Sequence, residues 1–127
     1  MSTDLIAFLN ARLDEDKAAA AKAQKKRRSP WRVIDSIRMR VISGSPNRDL
    51  VVAETPGDGI ADHIARHDPA RVLREIEADR SLLAKLRQVE EFGERLRIDT
   101  EILILRQVIA IRAAIWSDHP DYKGWLQ

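Results

Sequence analysis

Apolar and polar positions along the chain divide it into stretches of different period. Leu5, Phe8, Leu9 and Leu13 recur at helical spacing and form one stripe. Ser2 or Thr3 stands where a helix would be capped, and Asp4 suits its positive end. Beyond Lys17 comes an alanine-rich stretch, Ala18 to Ala23, with high helix propensity and little to bury. It closes on Lys25-Lys26-Arg27-Arg28, which match the negative end of a helix dipole, and Ser29-Pro30 stops it. From Trp31 the period becomes two. Trp31, Val33, Ile37, Met39 and Val41 fall on one face, and Arg32, Ser36, Arg38 and Arg40 on the other. Gly44-Ser45-Pro46-Asn47 is a turn cluster, and Leu50 to Thr55 is a second β-prone run. The pattern predicts a β-hairpin that must lean on a helix or on another copy of itself.

Pro56-Gly57-Asp58-Gly59 ends the hairpin and opens a short helix, with Asp58 as a candidate cap. Asp68-Pro69 then starts another helix, carboxylate at the cap and proline at the first helical position. Val72, Leu73, Ile76, Leu83 and Leu86 give that helix an apolar face. Gly93 and Asp99-Thr100 mark a break before the last helix, which predicts two helices folded on each other and not one long rod. The expected fold class is mainly α with a small β-hairpin (α+β), in a single domain over residues 1–127. Its parts are an N-terminal helix (1–28), a β-hairpin (31–55), a short helix (58–67), a helical hairpin (69–117) and a tail (118–127).

The last helix, from Ile98 to Trp116, has no clean polar side. Ile102 to Leu105 and Val108 to Ile111 are apolar throughout, and Arg106, Gln107 and Arg112 point in different directions. A helix apolar on most sides is buried on most sides. About 19 residues would reach roughly 28 Å, enough for a bilayer, but two arginines within the span argue against a membrane. A partner subunit is the expected cover, which makes Ile102, Leu103, Leu105, Val108, Ile109, Ile111, Ile115 and Trp116 candidate oligomer-interface residues.

Composition narrows the chemistry. The 127 residues contain no cysteine, which excludes disulfides, thiolate metal sites and a catalytic thiol. The first apolar run is short and sits among acids, so no signal peptide is indicated, and a cytoplasmic location is expected. A net charge of +2 is too small to imply nucleic acid, but its distribution is uneven. Residues 1–28 hold seven basic and four acidic side chains, whereas residues 69–127 hold ten of each. Lys22, Lys25, Lys26, Arg27 and Arg28, with Arg32, Arg38 and Arg40 on the hairpin, could follow a phosphate backbone. The competing explanation is a dipole-matched helix end and a solvated strand face. Only Trp31 is at hand to stack a base, and the alternation turns it toward the apolar side.

His63 and His67, four apart, could share a metal on one helix face, with Asp68 or His119 as a further ligand. More simply, His67-Asp68 punctuates two helices. There is no phosphate-cradling glycine loop and no serine elbow, and the aspartates fit caps and turns. No catalytic set and no cofactor are expected.

Several stretches resemble a family of small actinobacterial and actinophage proteins, the domain-of-unknown-function 6221 family. They are Leu5 to Asp16, Pro30-Trp31-Arg32-Val33, Val52-Ala53-Glu54-Thr55, His63 to Glu75 and His119-Pro120-Asp121-Tyr122. The block from His63 to Glu75 is the most specific. The resemblance implies an actinobacterial or phage origin and this order of elements, and no activity. Members approach the hairpin through Thr-Pro-Gly-Pro-Trp, where this chain has Lys26 to Trp31. Many are cysteine-rich before the last helix, where Glu90 to Leu103 has none, so no metal feature carries over. The leading expectation is a non-enzymatic interaction or assembly protein, a homo-oligomer or a binder of another protein. The alternative is a small nucleic-acid-binding protein.

Overall fold

The computed structural model describes residues 2–34, 39–43, 50–56, 58–96 and 99–125. Elements follow in the order α1 (Ser2–Lys26), β1 (Trp31–Ile34), β2 (Met39–Ser43), β3 (Leu50–Thr55), α2 (Asp58–Arg66), α3 (Pro69–Leu96) and α4 (Asp99–Ala113). A single 3-10 turn, Ala114–Trp116, extends α4. The mainly helical α+β class and the order of elements agree with the pattern of the sequence. By internal contacts the chain divides into two compact units, residues 16–75 and residues 1–15 with 76–127.

In the first unit the expected two-stranded hairpin is a three-stranded antiparallel meander, β1-β2-β3. The run read as one strand from Trp31 to Val41 is two; residues 35–38 between them, Ile37 and Arg38 included, lie outside the described residues. Alternation itself falters there: Ile34 is apolar at a polar-face position and Asp35 is charged at an apolar-face position. The candidate turn at 44–47 and the side chain of Asp58 also lie outside the described residues. The register sets Val33 beside Val41 and Val41 beside Ala53, the expected apolar face. A bulge between Val41 and Ile42 then shifts the pairing, so that Val51 faces Ile42. Val41 and Ile42 are successive residues on opposite faces, yet both are fully buried. The central strand is therefore covered on both sides. Helix α2 packs against all three strands, and Ala61 on it is fully buried.

In the second unit the first half of α1 turns Leu5, Phe8, Leu9 and Leu13 inward, the stripe read from the sequence. Arg80 on α3 reaches α1, 2.6 Å from Asp14 Oδ1 and 3.4 Å from Asn10 Oδ1. Ile76, Leu83 and Leu86 are buried as expected, while Val72 and Leu73 are half-buried. Gly93 does not break α3, which continues to Leu96; α4 begins at Asp99, as its acidic first turn allows.

Both arginines of α4 find acids on α3. Arg106 places Nε and Nη2 at 3.0 and 2.9 Å from Glu90 Oε1. Arg112 makes a two-point contact with Asp79, Nε to Oδ1 at 2.6 Å and Nη2 to Oδ2 at 3.0 Å. As numbers rise along α4 they fall along α3, so the helices run antiparallel and form the expected hairpin. After the 3-10 turn the tail returns to α1. His119, Tyr122 and Trp125 stack around Phe8 with ring centroids 5.1 to 5.8 Å away. Buried Arg12 donates to His119 Nε2 and to Glu15, and its guanidinium carbon lies 5.3 Å over the Phe8 ring. Among the described residues no helix is long and apolar enough to cross a membrane.

The two partners of the Asp79–Arg112 pair differ in exposure, 5% for the acid side chain and 36% for the base. Arg112→Met leaves a buried carboxylate without its guanidinium, and urea unfolding should show a loss of about 3–5 kcal/mol. Asp79→Leu leaves an arginine that reaches water, with an expected loss of about 1–2 kcal/mol. Combining the two substitutions should recover most of the larger loss. Equal single losses would mean that the exposure difference has no energetic consequence.

Candidate functional site

The last helix is only half covered by its own chain. Ile109 and Ala113 have no exposed surface and Ala110 is 4% exposed, so this side faces the core. On the opposite side Ile104, Ile111 and Ile115 are exposed by 55, 57 and 57%, and Leu103 next to them by 58%. Ile104, Val108, Ile111 and Ile115 follow one another at intervals of four, three and four, the spacing of a coiled-coil seam. None of the four is charged. Gln107 borders the seam, exposed.

This corrects the expected interface in two places. Ile109 belongs to the core, because at about 100° per residue it falls on the side of Ala113 and Arg112. Ile104, absent from the expected set, lies on the open side. Leu103, Ile111 and Ile115 are exposed as an interface requires; Val108 is half-buried within the seam, and Ile102, Leu105 and Trp116 are half-buried as well. Apolar girth alone does not separate the two sides. The partners of Arg106 and Arg112 do, and the acids at Glu90 and Asp79 are the signal that would have oriented the helix.

The basic segment is divided. Lys22, Lys25, Lys26, Arg28 and Arg32 are exposed. Arg27 is spent on the backbone, its Nε donating to Val51 O at 2.7 Å and its Nη1 to Lys26 O at 2.8 Å. Arg40 lies 3.2 Å from Glu54 across the β2–β3 pair, which neutralises part of the expected basic strand face. Arg38 lies outside the described residues. Trp31 donates its indole N–H to Arg27 O at 2.8 Å and is half-buried.

His63 and His67 do come together, rings 4.4 Å apart, with His67 Nδ1 donating to His63 O at 2.7 Å. A third ligand is missing: among the described residues no group of three metal-binding side chains forms. Asp68 is committed elsewhere. It is 8% exposed; Oδ1 accepts the Arg71 N–H at 2.9 Å as the α3 cap, and Oδ2 accepts the Trp31 N–H at 3.2 Å. Ser29 Oγ accepts the Ala70 N–H at 3.0 Å. His119 is held by Arg12 and by the Asp121 N–H, 3.1 Å from its Nδ1.

A family model matches residues 2–127, described as a family of unknown function, DUF6221. The chain belongs to that family. No curated protein and no solved structure matches it. The stretch from His63 to Glu75 contains the Asp68 cap, which ties the start of α3 to the start of β1.

Asp68→Asn keeps the α3 cap but sets an amide donor against the Trp31 N–H. Hydrogen exchange at the Trp31 amide should accelerate, with a global loss of about 1 kcal/mol. Asp68→Ala removes both acceptors and should lose about 2–3 kcal/mol in urea unfolding. Unchanged Trp31 exchange in Asp68→Asn would contradict the cross-link.

Proposed function

We propose that this protein is a non-enzymatic assembly protein that self-associates through the outer face of α4. The observation that carries this reading is the seam of Ile104, Val108, Ile111 and Ile115, apolar throughout, with its three isoleucines open to solvent and Val108 half-buried, on a helix whose opposite side fills the core. A second copy is the occupant that suits it. The seam has no charge, so two copies meet without repulsion, and its β-branched side chains at every seam position suit helix-on-helix packing.

The magnitudes agree with a reversible assembly. Burying the exposed half of four large aliphatic side chains is worth roughly 3–6 kcal/mol per copy, so roughly 6–12 kcal/mol for a pair. Association costs about 4–15 kcal/mol in lost freedom. The balance favours complexes that form at micromolar or higher concentration and dissociate on dilution. An actinobacterial or phage origin, supported by the family resemblance alone, and a cytoplasmic setting, supported by the acidic N-terminal pattern, belong to the same proposal. The nucleic-acid reading rests on Lys22, Lys25, Lys26, Arg28 and Arg32 and has lost Arg27 and Arg40 to partners within the chain.

Sedimentation velocity across protein concentrations from about 10 to 500 µM tests the proposal against the micromolar scale estimated above. The weight-average mass of the parent chain should rise with concentration. Ile111→Glu, at a position already 57% exposed, should hold the mass of a single chain with unchanged helicity and melting. Ile109→Glu, at a fully buried position, should instead unfold the chain. A single-chain mass for the parent protein throughout the range would overturn self-association.

A further inference from the structure

Residues four apart share one face of a helix, and the C-terminal end of α2 brings His63 and His67 together in this way. His67 follows α2 directly, its backbone N–H donating to Ile64 O at 3.1 Å, and both histidines are exposed. His67 Nδ1 lies 2.7 Å from His63 O, a group that can only accept, so Nδ1 carries the proton. The neutral ring then presents its lone pair at Nε2. Donation from the other ring nitrogen to a carbonyl is what fixes the tautomer of metal-ligating histidines and raises their basicity. Among the described residues, His67 Nε2 and both ring nitrogens of His63 have no hydrogen-bond partner. Two surface imidazoles that are merely solvated would leave the tautomer unspecified.

The separation of the rings selects the kind of ion. A ligating imidazole nitrogen sits about 2.0–2.1 Å from the metal, which puts the ring centroid about 3.2 Å from it. Two such rings at a right angle about one ion have centroids about 4.5 Å apart, and at the tetrahedral angle about 5.2 Å apart. The observed separation is 4.4 Å. Right-angle positions belong to tetragonal coordination by nitrogen and oxygen, the preference of copper(II) and nickel(II), and copper(II) is the tighter binder of the two. The chain has no cysteine, so no thiolate competes for the ion. The last turn of α2 is also the negative end of its dipole, which favours a cation. His67 further lines a groove of about 340 Å³ with Ala19, Ala23 and Trp31, so open space adjoins it for the ion's other ligands.

We propose that His63 and His67 bind copper(II) as a two-nitrogen chelate, His67 through Nε2, with water in the remaining positions. Two imidazoles held at the bite angle of the ion lose little freedom on binding it, which is why a third protein ligand is not required for affinity in the micromolar range. The site uses residues of the 16–75 unit alone and does not rest on the self-association proposed above.

The probe is copper(II) chloride, titrated into the full chain in a buffer that does not coordinate it. Calorimetry should give one ion per chain with a Kd of about 10 µM or tighter. Low-temperature paramagnetic resonance should show an axial copper signal coupled to about two imidazole nitrogens. Zinc should bind at least about tenfold more weakly. His63→Ala and His67→Ala should each weaken copper by about tenfold or more. Both positions are exposed, so the metal-free variants should melt within a few degrees of the parent. Parental copper affinity in either variant, a single coupled nitrogen, or zinc binding as tight as copper would each overturn the proposal. So would the absence of saturable binding up to about 1 mM copper.

Discussion

Hydrophobic burial by itself does not decide which way α4 faces. Turning the helix about its axis would exchange one set of branched aliphatic side chains, Ile102, Leu105 and Ile109, for another, Ile104, Val108, Ile111 and Ile115. Apolar area buried would hardly change. The guanidinium of Arg112 breaks the tie. Its two-point contact with Asp79 requires that side of α4 to lie against α3, and Arg106 on Glu90 repeats the demand two turns away. A buried ion pair adds little net stability over well-packed apolar groups, but it penalises every rotation and slip that separates its charges. The register of the helical hairpin depends on that penalty. The outward direction of the seam follows from it.

Helices were the most legible part of the chain. Leu5, Phe8, Leu9 and Leu13 announce a helix face because four apolar residues at one period leave little alternative, and all four are buried. Asp68-Pro69 announces a helix start because a carboxylate cap and a residue lacking N–H serve the same orphaned donors. The sheet was legible only in part. Trp31 and Val33 share the parity of Ile37, Met39 and Val41, so alternation carried one strand across the break at Ile34-Asp35, and the bulge at Val41/Ile42 leaves no mark in the pattern. Among candidate functional residues, Lys22, Lys25, Lys26, Arg28 and Arg32 are exposed as expected, while of the eight expected interface residues three are. Those depending on a distant partner were not legible: Arg40 is matched by Glu54 on the neighbouring strand, and Arg27 by a carbonyl on β3. No local window contains those partners.

The junction at Ser29, Trp31 and Asp68 shows how one carboxylate performs two tasks. A free helix start exposes donors and attracts anions. Here Asp68 and Ser29 occupy the donors of α3, and the second oxygen of Asp68 holds the start of β1. The arrangement locks a helix to a strand and removes the amide donors that would bind phosphate. The surrounding surface keeps its exposed lysines on α1, so attraction for anions is set by other residues of the same unit.

The alanine-rich half of α1 then has an explanation beyond helix propensity. Glutamate, lysine and leucine would propagate a helix nearly as well as alanine, so propensity does not require three alanines at Ala19, Ala20 and Ala23. Of these, Ala20 is 6% exposed, so close packing accounts for one of the three. Ala19 is exposed and Ala23 half-buried; both line the space in front of Trp31, where a larger side chain would occupy the volume itself. Small residues at those two positions cost the helix nothing and keep the indole face accessible. Accessibility is what a bulky residue would remove first, which makes Ala23 the position where filling the groove and leaving the indole face open have opposite requirements.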